Sequence, residues 1–307
     1  VTYLNCNKIN DFNNIDIMIV CRFINYFIHF KANAHKNYIW VHDKIVNPCY
    51  NDNILDNKGV NLIYNLEDKI NGFICLSNFH EKNIKTIFEE NNYISNIKFN
   101  IIPNALDLSY YKDNIKKIKN SFIYTSHPNK GPDTLRRINI LLDLFKLIQE
   151  KYPDASLSIF RKHLLNEDNI KKIKNLNNIT LFGKIPQRDL AIHYLKSEYF
   201  LYPTDFMETF CCCAVEAQLY KCVCIYNNIG SLSEVIGNKG LSLEYDNNDY
   251  NNYLINSSDL IFKLMDNENK KQDFIERGYE YAKTLSSCEV KDKWIDLFNS
   301  YNLTDKI

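Results

Sequence analysis

The sequence lacks features that would assign it to several special classes of protein. It has no net charge, because 37 Lys and Arg residues balance 37 Asp and Glu residues. A balanced charge gives no electrostatic case for a nucleic-acid partner or for an anionic membrane. No stretch of the 307 residues approaches the run of about 18 apolar residues that spans a bilayer. We therefore expect no nucleic-acid partner and no transmembrane segment.

The start of the chain lacks both an initiator Met and the pattern of a signal peptide, since it begins VTYLNCN. We expect the chain to be a fragment of a longer polypeptide whose further domains are partners. Its ten cysteines are scattered through a long chain without a secretory signal, so free thiols are expected. This predicts a reducing, cytoplasmic location, with a membrane surface as an additional possibility.

The cysteines also lack the spacing of a metal site. No C-x-x-C pair occurs, and the stretch ETFCCCAVEA places Cys211, Cys212 and Cys213 in a row between two glutamates. On a helix, consecutive side chains point about 100° apart and cannot converge on one ion. We expect these cysteines to pack as small apolar residues, and we predict no metal.

What is present is an alternation of short apolar runs with longer amphipathic stretches, in a chain long enough for two domains. Runs that predict strands lie at 15–20, 37–41, 72–77, 99–103, 121–126, 155–160, 179–183, 199–203 and 222–227. Helices are predicted at 78–91, 134–152, 187–197 and 209–221, and again in the C-terminal tail. The pattern indicates an α/β fold with mainly parallel sheets. The Lys-rich stretch 110–121 is either a linker or a solvated helix.

Glu208 and Glu216 are the most informative pair of residues. Glu208 follows the predicted strand 199–203 at the start of a helix, and Glu216 lies eight residues later. At ~1.5 Å per residue, eight residues span ~12 Å and return to the same helix face. Free N–H groups near Thr209, Phe210 and Cys211 would attract an anion. The spacing suits an elongated ligand with hydroxyls at both ends and phosphates between, although such a pair is also typical of a solvated helix face.

The residues around this pair resemble the E-x7-E segment of retaining GT-B glycosyltransferases. The similar stretch is YPTDFMETFCCCAVEAQLYKCVCIYNNIGSLSEVI, at residues 202–236. Four further stretches resemble the same family in the same order: ICLSNFHEKNI, IIPNALDLSYY, YTSHPNKGPDTL and ITLFGKIPQRDLAIHYLKSEYFLYPT. The resemblance covers roughly residues 37 to 300.

The resemblance implies a GT-B fold, with two Rossmann-like domains facing a central cleft. The expected domains are a partial acceptor-side domain at 1–118, a nucleotide-sugar domain at 119–290 and a C-terminal helix at 291–307 that returns to the first domain near Trp294. The family's opening strand and Gly-rich loop are missing, so the first domain is expected to be truncated.

The resemblance also implies roles for individual residues. Glu208 would hold hydroxyls of the transferred sugar, and Glu216 would bind the ribose. Lys130, followed by Gly131, would neutralise the diphosphate, together with the helix start at Thr209, Phe210 and Cys211. Backbone at Gly183, Lys184 and Ile185 would line the base pocket.

His42 and Asp43, in IWVHD, resemble the strand end where the family keeps an active-site histidine. His42 would face the reacting sugar or the acceptor; the alternative is a hydrogen-bonded structural histidine. Besides the missing opening strand and Gly-rich loop, the chain departs from the family at several positions. Thr125, Ser126 and His127 occupy the region of an arginine, Ala105 and Cys211 each replace a glycine, and Lys221 and Val223 replace a Gly and a Pro.

The sequence therefore predicts a retaining glycosyltransferase that uses a nucleoside diphosphate sugar and a glycan or other hydroxyl acceptor, without a cofactor or an essential metal. One alternative is another GT-B enzyme, such as a nucleotide-sugar epimerase or a phosphorylase. A second alternative is a non-catalytic module that binds a nucleotide or a glycan.

Overall fold

A computed structural model describes residues 15–24, 26–29, 34–44, 63–93, 95–111, 115–128, 136–246 and 248–300. The chain divides into two compact units. The first contains residues up to Pro103 and those from Asp292, and the second contains Asn104–Lys291. The chain thus passes from the first unit to the second before the predicted boundary at 118. The backbone of Leu106 is already hydrogen-bonded within the second unit. Its N–H donates to the carbonyl of Leu285 at 2.7 Å.

The first unit contains a four-stranded parallel sheet in the order β1-β2-β3-β4. Its strands are β1 (Ile15–Cys21), β2 (Ala34–Trp40), β3 (Gly72–Cys75) and β4 (Lys98–Ile101). Its helices are α1 (Tyr26–His29), α2 (Asn78–Glu90), a helical turn at 63–66 and a 3-10 turn at Glu67–Lys69. The strands and α2 confirm the predicted positions to within a few residues.

The core of the first unit is built by α2 against the sheet. Ser77 caps the helix by accepting a hydrogen bond from the N–H of His80. Ile84 and Phe88, four residues apart on one face, are buried. The Phe88 ring contacts the stacked rings of Phe73 and Phe99, whose centroids are 5.3 Å apart.

The second unit contains a six-stranded parallel sheet in the order β10-β9-β8-β5-β6-β7. Its strands are β5 (Ile118–Tyr124), β6 (Ser156–Ile159), β7 (Ile179–Leu181), β8 (Ser197–Tyr202), β9 (Val223–Asn227) and β10 (Gly240–Leu243). Its helices are α3 (Arg136–Lys151), α4 (Glu167–Lys174), α5 (Gln187–Lys196), α6 (Cys212–Leu219), α7 (Leu232–Val235), α8 (Tyr250–Met265) and α9 (Glu268–Lys283). Two parallel sheets with helices confirm the predicted α/β class.

The strand order of the second unit is that of the Rossmann fold. The chain starts in the middle of the sheet at β5, proceeds outward to β7, and returns to the other side of β5 with β8. Strands β8 and β9 are buried over nearly their whole length, as in a parallel sheet covered on both faces. In such sheets, ligands bind at the carboxyl ends of the two strands where the order reverses. These strands are β5 and β8.

The Lys-rich stretch before this sheet is not a solvated helix over its described part, since β5 begins at Ile118. The Lys117 side chain is hydrogen-bonded to backbone groups of the second unit. Its ammonium group donates to the carbonyls of Tyr194 (2.9 Å), Ser197 (2.6 Å) and Tyr220 (2.7 Å). Two of these carbonyls lie at the C-terminal ends of α5 and α6, where a cation also offsets the helix dipole.

The last helix, α10 (Ser287–Asn299), contains the change back to the first unit at Asp292. The ring of Trp294 packs edge-on against Trp40 at the end of β2, with centroids 5.2 Å apart. Both residues belong to the first unit. The residue singled out in the sequence as returning to the first domain thus contacts the end of a strand of that unit.

Candidate functional site

Two consecutive hydroxyl residues lie at the carboxyl end of β5, at the point where the strand order reverses. The Thr125 hydroxyl is 2.5 Å from the hydroxyl of Tyr194, on α5. The Ser126 hydroxyl is 3.0 Å from the hydroxyl of Tyr202, the last residue of β8. Both tyrosines are fully buried. Each leads to one of the two glutamates singled out in the sequence.

Glu208 is held through both its side chain and its backbone. The Tyr202 hydroxyl donates to Oε1 of the carboxylate at 2.5 Å. The Glu208 carbonyl accepts a hydrogen bond from the N–H of Ser231 at 2.9 Å. The residue is half-buried, so its carboxylate is fixed but still reachable by a ligand.

Gly230 allows this backbone contact. It adopts a left-handed conformation, with φ of 61°. A Cβ at this position would lie 2.8 Å from the nitrogen and 2.9 Å from the oxygen of Glu208. Only glycine fits between the two backbones at this position. Gly230 is the glycine that follows the strand in the E-x7-E resemblance.

The predicted helix start is wrong by three residues. Helix α6 begins at Cys212, and Cys211 before it is left-handed, with φ of 59° and ψ of 72°. Cys211 stands where the resemblance expects glycine, so the backbone has kept a conformation that glycine adopts without strain. Glu208, Thr209 and the buried Phe210 thus lie in the connection before the helix. The first-turn N–H groups are those of α6 itself rather than those of residues 209–211.

Cys211 is buried and Cys213 half-buried, as expected of packing residues, whereas Cys212 is exposed and accepts a hydrogen bond from the Asn104 amide at 3.4 Å. Burial raises the pKa of the Cys211 thiol well above its usual value, and burial with the nearby Glu216 charge raises the pKa of Cys213 to about 12. Such thiols stay protonated at neutral pH and are poor nucleophiles and metal ligands. Among the described residues, no three His, Cys, Asp or Glu side chains are grouped to hold a metal ion.

Glu216 lies on α6, eight residues after Glu208, and is half-buried. Burial raises the pKa of its carboxyl from 4.5 to about 7, although the nearby Tyr194 hydroxyl and Gln187 amide act to lower it. The Gln187 amide donates to Oε1 at 2.8 Å. A carboxyl group with this pKa would gain from a ligand hydroxyl that donates to its ionised form.

Gln187 connects Glu216 with the segment predicted to line a base pocket. This segment, Gly183, Lys184 and Ile185, lies between β7 and α5, and Gln187 is the first residue of α5. The structure therefore brings the segment and Glu216 to the same side of the second unit. No sequence pattern pointed to Gln187, since a glutamine at a helix start carries no signal of its own.

Lys130 and Gly131, the predicted diphosphate-binding residues, lie outside the described residues. Shortly before them in the sequence, the carbonyl of His127 accepts a hydrogen bond from the Tyr124 hydroxyl at 3.4 Å. Their role therefore stays a prediction.

His42 and Asp43 follow β2 in the first unit. Burial lowers the pKa of His42 to about 4, and the nearby Arg22 charge acts in the same direction. The imidazole is therefore neutral at pH 7. The Asp43 carboxylate is bound by Arg22, whose Nη1 lies 2.9 Å from each carboxylate oxygen. Asp43 thus has an ion-pair partner within its own unit.

His80 fixes the backbone beside His42, which the sequence analysis did not predict. Its Nδ1 accepts a hydrogen bond from the N–H of Leu76 at 3.2 Å, so its Nε2 carries the proton and donates to the carbonyl of Asp43 at 2.9 Å. His80 is fully buried. It belongs to the NFHEKN stretch, whose helical spacing predicts burial but not this bond.

The sequence segment that contains both glutamates has relatives of known family. Residues 132–281 match the family model of the glycosyl transferases group 1. The matched segment carries Glu208, Glu216, Gln187 and Gly230, and it covers most of the second unit. The match supports the predicted class of enzyme, a transferase.

Two curated proteins are similar to part of the chain. One is the capsular polysaccharide biosynthesis glycosyltransferase CapH of Staphylococcus aureus, 34% identical over 151 residues, which are 45% of this chain and 39% of that protein. The other is an uncharacterized 41.2 kDa protein in the cps region of Klebsiella pneumoniae, 28% identical over 155 residues, which are 47% of this chain and 40% of that protein. The matched regions span less than half of each relative's length.

Solved structures share the fold over nearly the whole chain. The pneumococcal O-GlcNAc transferase GtfA has a TM-score of 0.72 at 18% identity, covering 92% of this chain and 56% of its own. HepE from Anabaena has a TM-score of 0.67 at 12% identity, covering 93% and 78%. These likenesses confirm the GT-B type of fold. Within the part of the chain that the structure covers, no helix has the length and apolar character needed to cross a membrane.

Proposed function

We propose that this chain is the donor-binding part of a retaining glycosyltransferase that uses a nucleoside diphosphate sugar and needs no metal. The observation that carries the proposal is the pair Glu208 and Glu216 at the strand-order reversal of a Rossmann sheet, the first held by Tyr202 and the second by Gln187. Both lie in the segment that matches group 1 glycosyl transferases. This is the place where such sheets bind nucleotides.

In the proposed complex, the donor lies along the connection between the two glutamates. Glu208 binds hydroxyls of the transferred sugar, and Glu216 binds the ribose hydroxyls. The diphosphate lies near the start of α6, where free N–H groups and the helix dipole favour negative charge. Lys130 adds a positive charge there, which stabilises the leaving nucleoside diphosphate as the bond to the sugar breaks.

The ionisation of Glu216 fits a ribose contact. Its pKa of about 7 in the ligand-free protein reflects a buried carboxyl group that is costly to ionise. Ribose hydroxyls that donate to the carboxylate would offset this cost. The Gln187 amide already donates to one carboxylate oxygen, so it would hold the group in a fixed orientation for the ligand.

We assign His42 to the transferred sugar or the acceptor. As a neutral imidazole it can donate one hydrogen bond and accept another, which suits contact with sugar hydroxyls. The ion pair between Asp43 and Arg22 then holds the loop that carries His42. We propose a glycan as the acceptor, since the relative CapH is named for capsular polysaccharide biosynthesis.

Calorimetry and donor hydrolysis test the proposal. UDP is the first nucleotide to try, because GtfA and HepE were both solved with UDP, followed by GDP and ADP. We expect one of these nucleotides to bind, its sugar donor to be slowly hydrolysed or transferred, and the sugar product to keep the anomeric configuration of the donor. Binding without any turnover would indicate the non-catalytic module. Failure to bind any nucleoside diphosphate would refute the proposal.

A further inference from the structure

Two chains of hydroxyl groups lead from the end of β5 to the two segments that carry the glutamates. The first runs from Thr125 to Tyr194, whose hydroxyl donates to the carbonyl of Cys213, one turn before Glu216 on α6. The second runs from Ser126 to Tyr202, whose hydroxyl donates to Glu208. Since side chains alternate along a strand, neighbouring residues at its end point to opposite sides of the sheet. One dipeptide can therefore serve two different tyrosines.

Both tyrosines are fully buried, so their hydroxyls depend on protein partners. The Tyr202 hydroxyl lies 2.5 Å from Glu208 and 3.0 Å from Ser126. The Tyr194 hydroxyl lies 2.5 Å from Thr125 and 3.3 Å from the carbonyl of Cys213, one turn before Glu216 on α6. A buried hydroxyl with two partners holds its charged neighbour in one orientation.

We propose that Thr125 with Tyr194 and Ser126 with Tyr202 are two independent positioning pairs, one for Glu216 and one for Glu208. The inference rests on the proposed function, because it assigns the first pair to nucleotide binding and the second to sugar transfer. None of the four residues needs to touch the donor. Each acts through a glutamate, and the two pairs share no side chain.

Independent pairs predict a separation of effects. Loss of the Tyr202 hydroxyl leaves the Glu208 carboxylate free to turn away from the sugar, which lowers turnover and leaves the nucleotide contacts intact. Loss of the Tyr194 hydroxyl removes its bond to the Cys213 carbonyl, so the first turn of α6 no longer holds Glu216 in one position. Nucleotide affinity then falls. A merely structural role would change both measurements together with stability.

The test uses Tyr202→Phe and Tyr194→Phe in the full chain, with Tyr199→Phe as the matched control. Tyr199 is an equally buried tyrosine of β8 whose ring stacks on Phe122 at 4.7 Å. A hydrogen bond to a charged group corresponds to roughly a tenfold effect or more. We expect Tyr202→Phe to lower donor turnover about tenfold with unchanged UDP affinity, and Tyr194→Phe to weaken UDP binding about tenfold by calorimetry. The control should change neither.

A double variant and single variants of Ser126 and Thr125 test the inference further. Tyr202→Phe added to Glu208→Ala should cause no further loss of turnover, because the side chain that the Tyr202 hydroxyl holds is already removed. Ser126→Ala should reproduce a weaker Tyr202→Phe effect, and Thr125→Val a weaker Tyr194→Phe effect. Equal losses of affinity and turnover in both phenylalanine variants would overturn the inference, as would wild-type behaviour in both. If the wild type itself neither binds UDP, GDP or ADP nor turns over a donor, the proposed function fails instead.

Discussion

Replacing Glu216 with Gln should stabilise the ligand-free protein at alkaline pH. The folded-state pKa of Glu216 is raised by burial from 4.5 to about 7. A group whose folded pKa is raised contributes stability below its unfolded pKa and loses it as the pH rises through the folded value. The loss takes place between pH 4.5 and about 7, at about 1.4 kcal/mol per pH unit. Above pH 7 it amounts to roughly 3 kcal/mol of unfolding free energy. Glutamine has no charge to bury and avoids this loss.

Urea unfolding at about pH 8.5 and about pH 5 measures this difference. We expect Glu216→Gln to be more stable than the wild type by up to roughly 3 kcal/mol at the higher pH, with most of the difference gone at the lower pH. Glu276→Gln, on the exposed face of α9, is the control and should be neutral at both. A variant less stable than the wild type at high pH, or a gain independent of pH, would refute the reasoning.

Three further predictions concern the scaffold of the site. Gly230→Ala should lose roughly 2 kcal/mol of unfolding free energy and much of the donor turnover, because its Cβ would press on the Glu208 backbone at 2.8 Å; normal stability would contradict this. Lys117→Met should cost roughly 1.5–3 kcal/mol in urea unfolding, since three carbonyls lose their donor, whereas the exposed Lys119→Met should cost little. Replacing Cys211, Cys212 and Cys213 with Ser should leave metal content by mass spectrometry at background; stoichiometric zinc in the wild type, lost in the variant, would overturn our interpretation of these residues.

The α/β fold class could be predicted from the sequence because the spacing of apolar residues reflects which side chains are buried. The run IDIMIV became β1, and the stripe in 134–152 became α3. Weaker elements escaped because β10 and α4 each contain only two large apolar residues. The division between the two compact units at Pro103 lies before the predicted boundary at 118, and the contact between Leu106 and Leu285 that accompanies it joins residues far apart in the chain.

The sequence offers candidate site residues where it resembles a family, but it does not reveal the contacts between them. Glu208 and Glu216 were singled out by their spacing and flanking residues, and their roles stay predictions. The left-handed Cys211 was foreseen only as a missing glycine, and it moves the start of α6 to Cys212. Apolar patterns predict that Tyr202 is buried, but they do not reveal which atom its hydroxyl contacts.

The most direct test of the account compares Glu208→Gln with Glu216→Gln for binding of the bare nucleoside diphosphate. The central claim is that the two glutamates hold opposite ends of one donor. Calorimetry should show nearly unchanged affinity for Glu208→Gln, whose donor turnover falls by about 10²–10³. For Glu216→Gln, affinity should fall by about tenfold or more. Unchanged affinity in Glu216→Gln, with binding lost in Glu208→Gln, would contradict the proposed orientation of the donor.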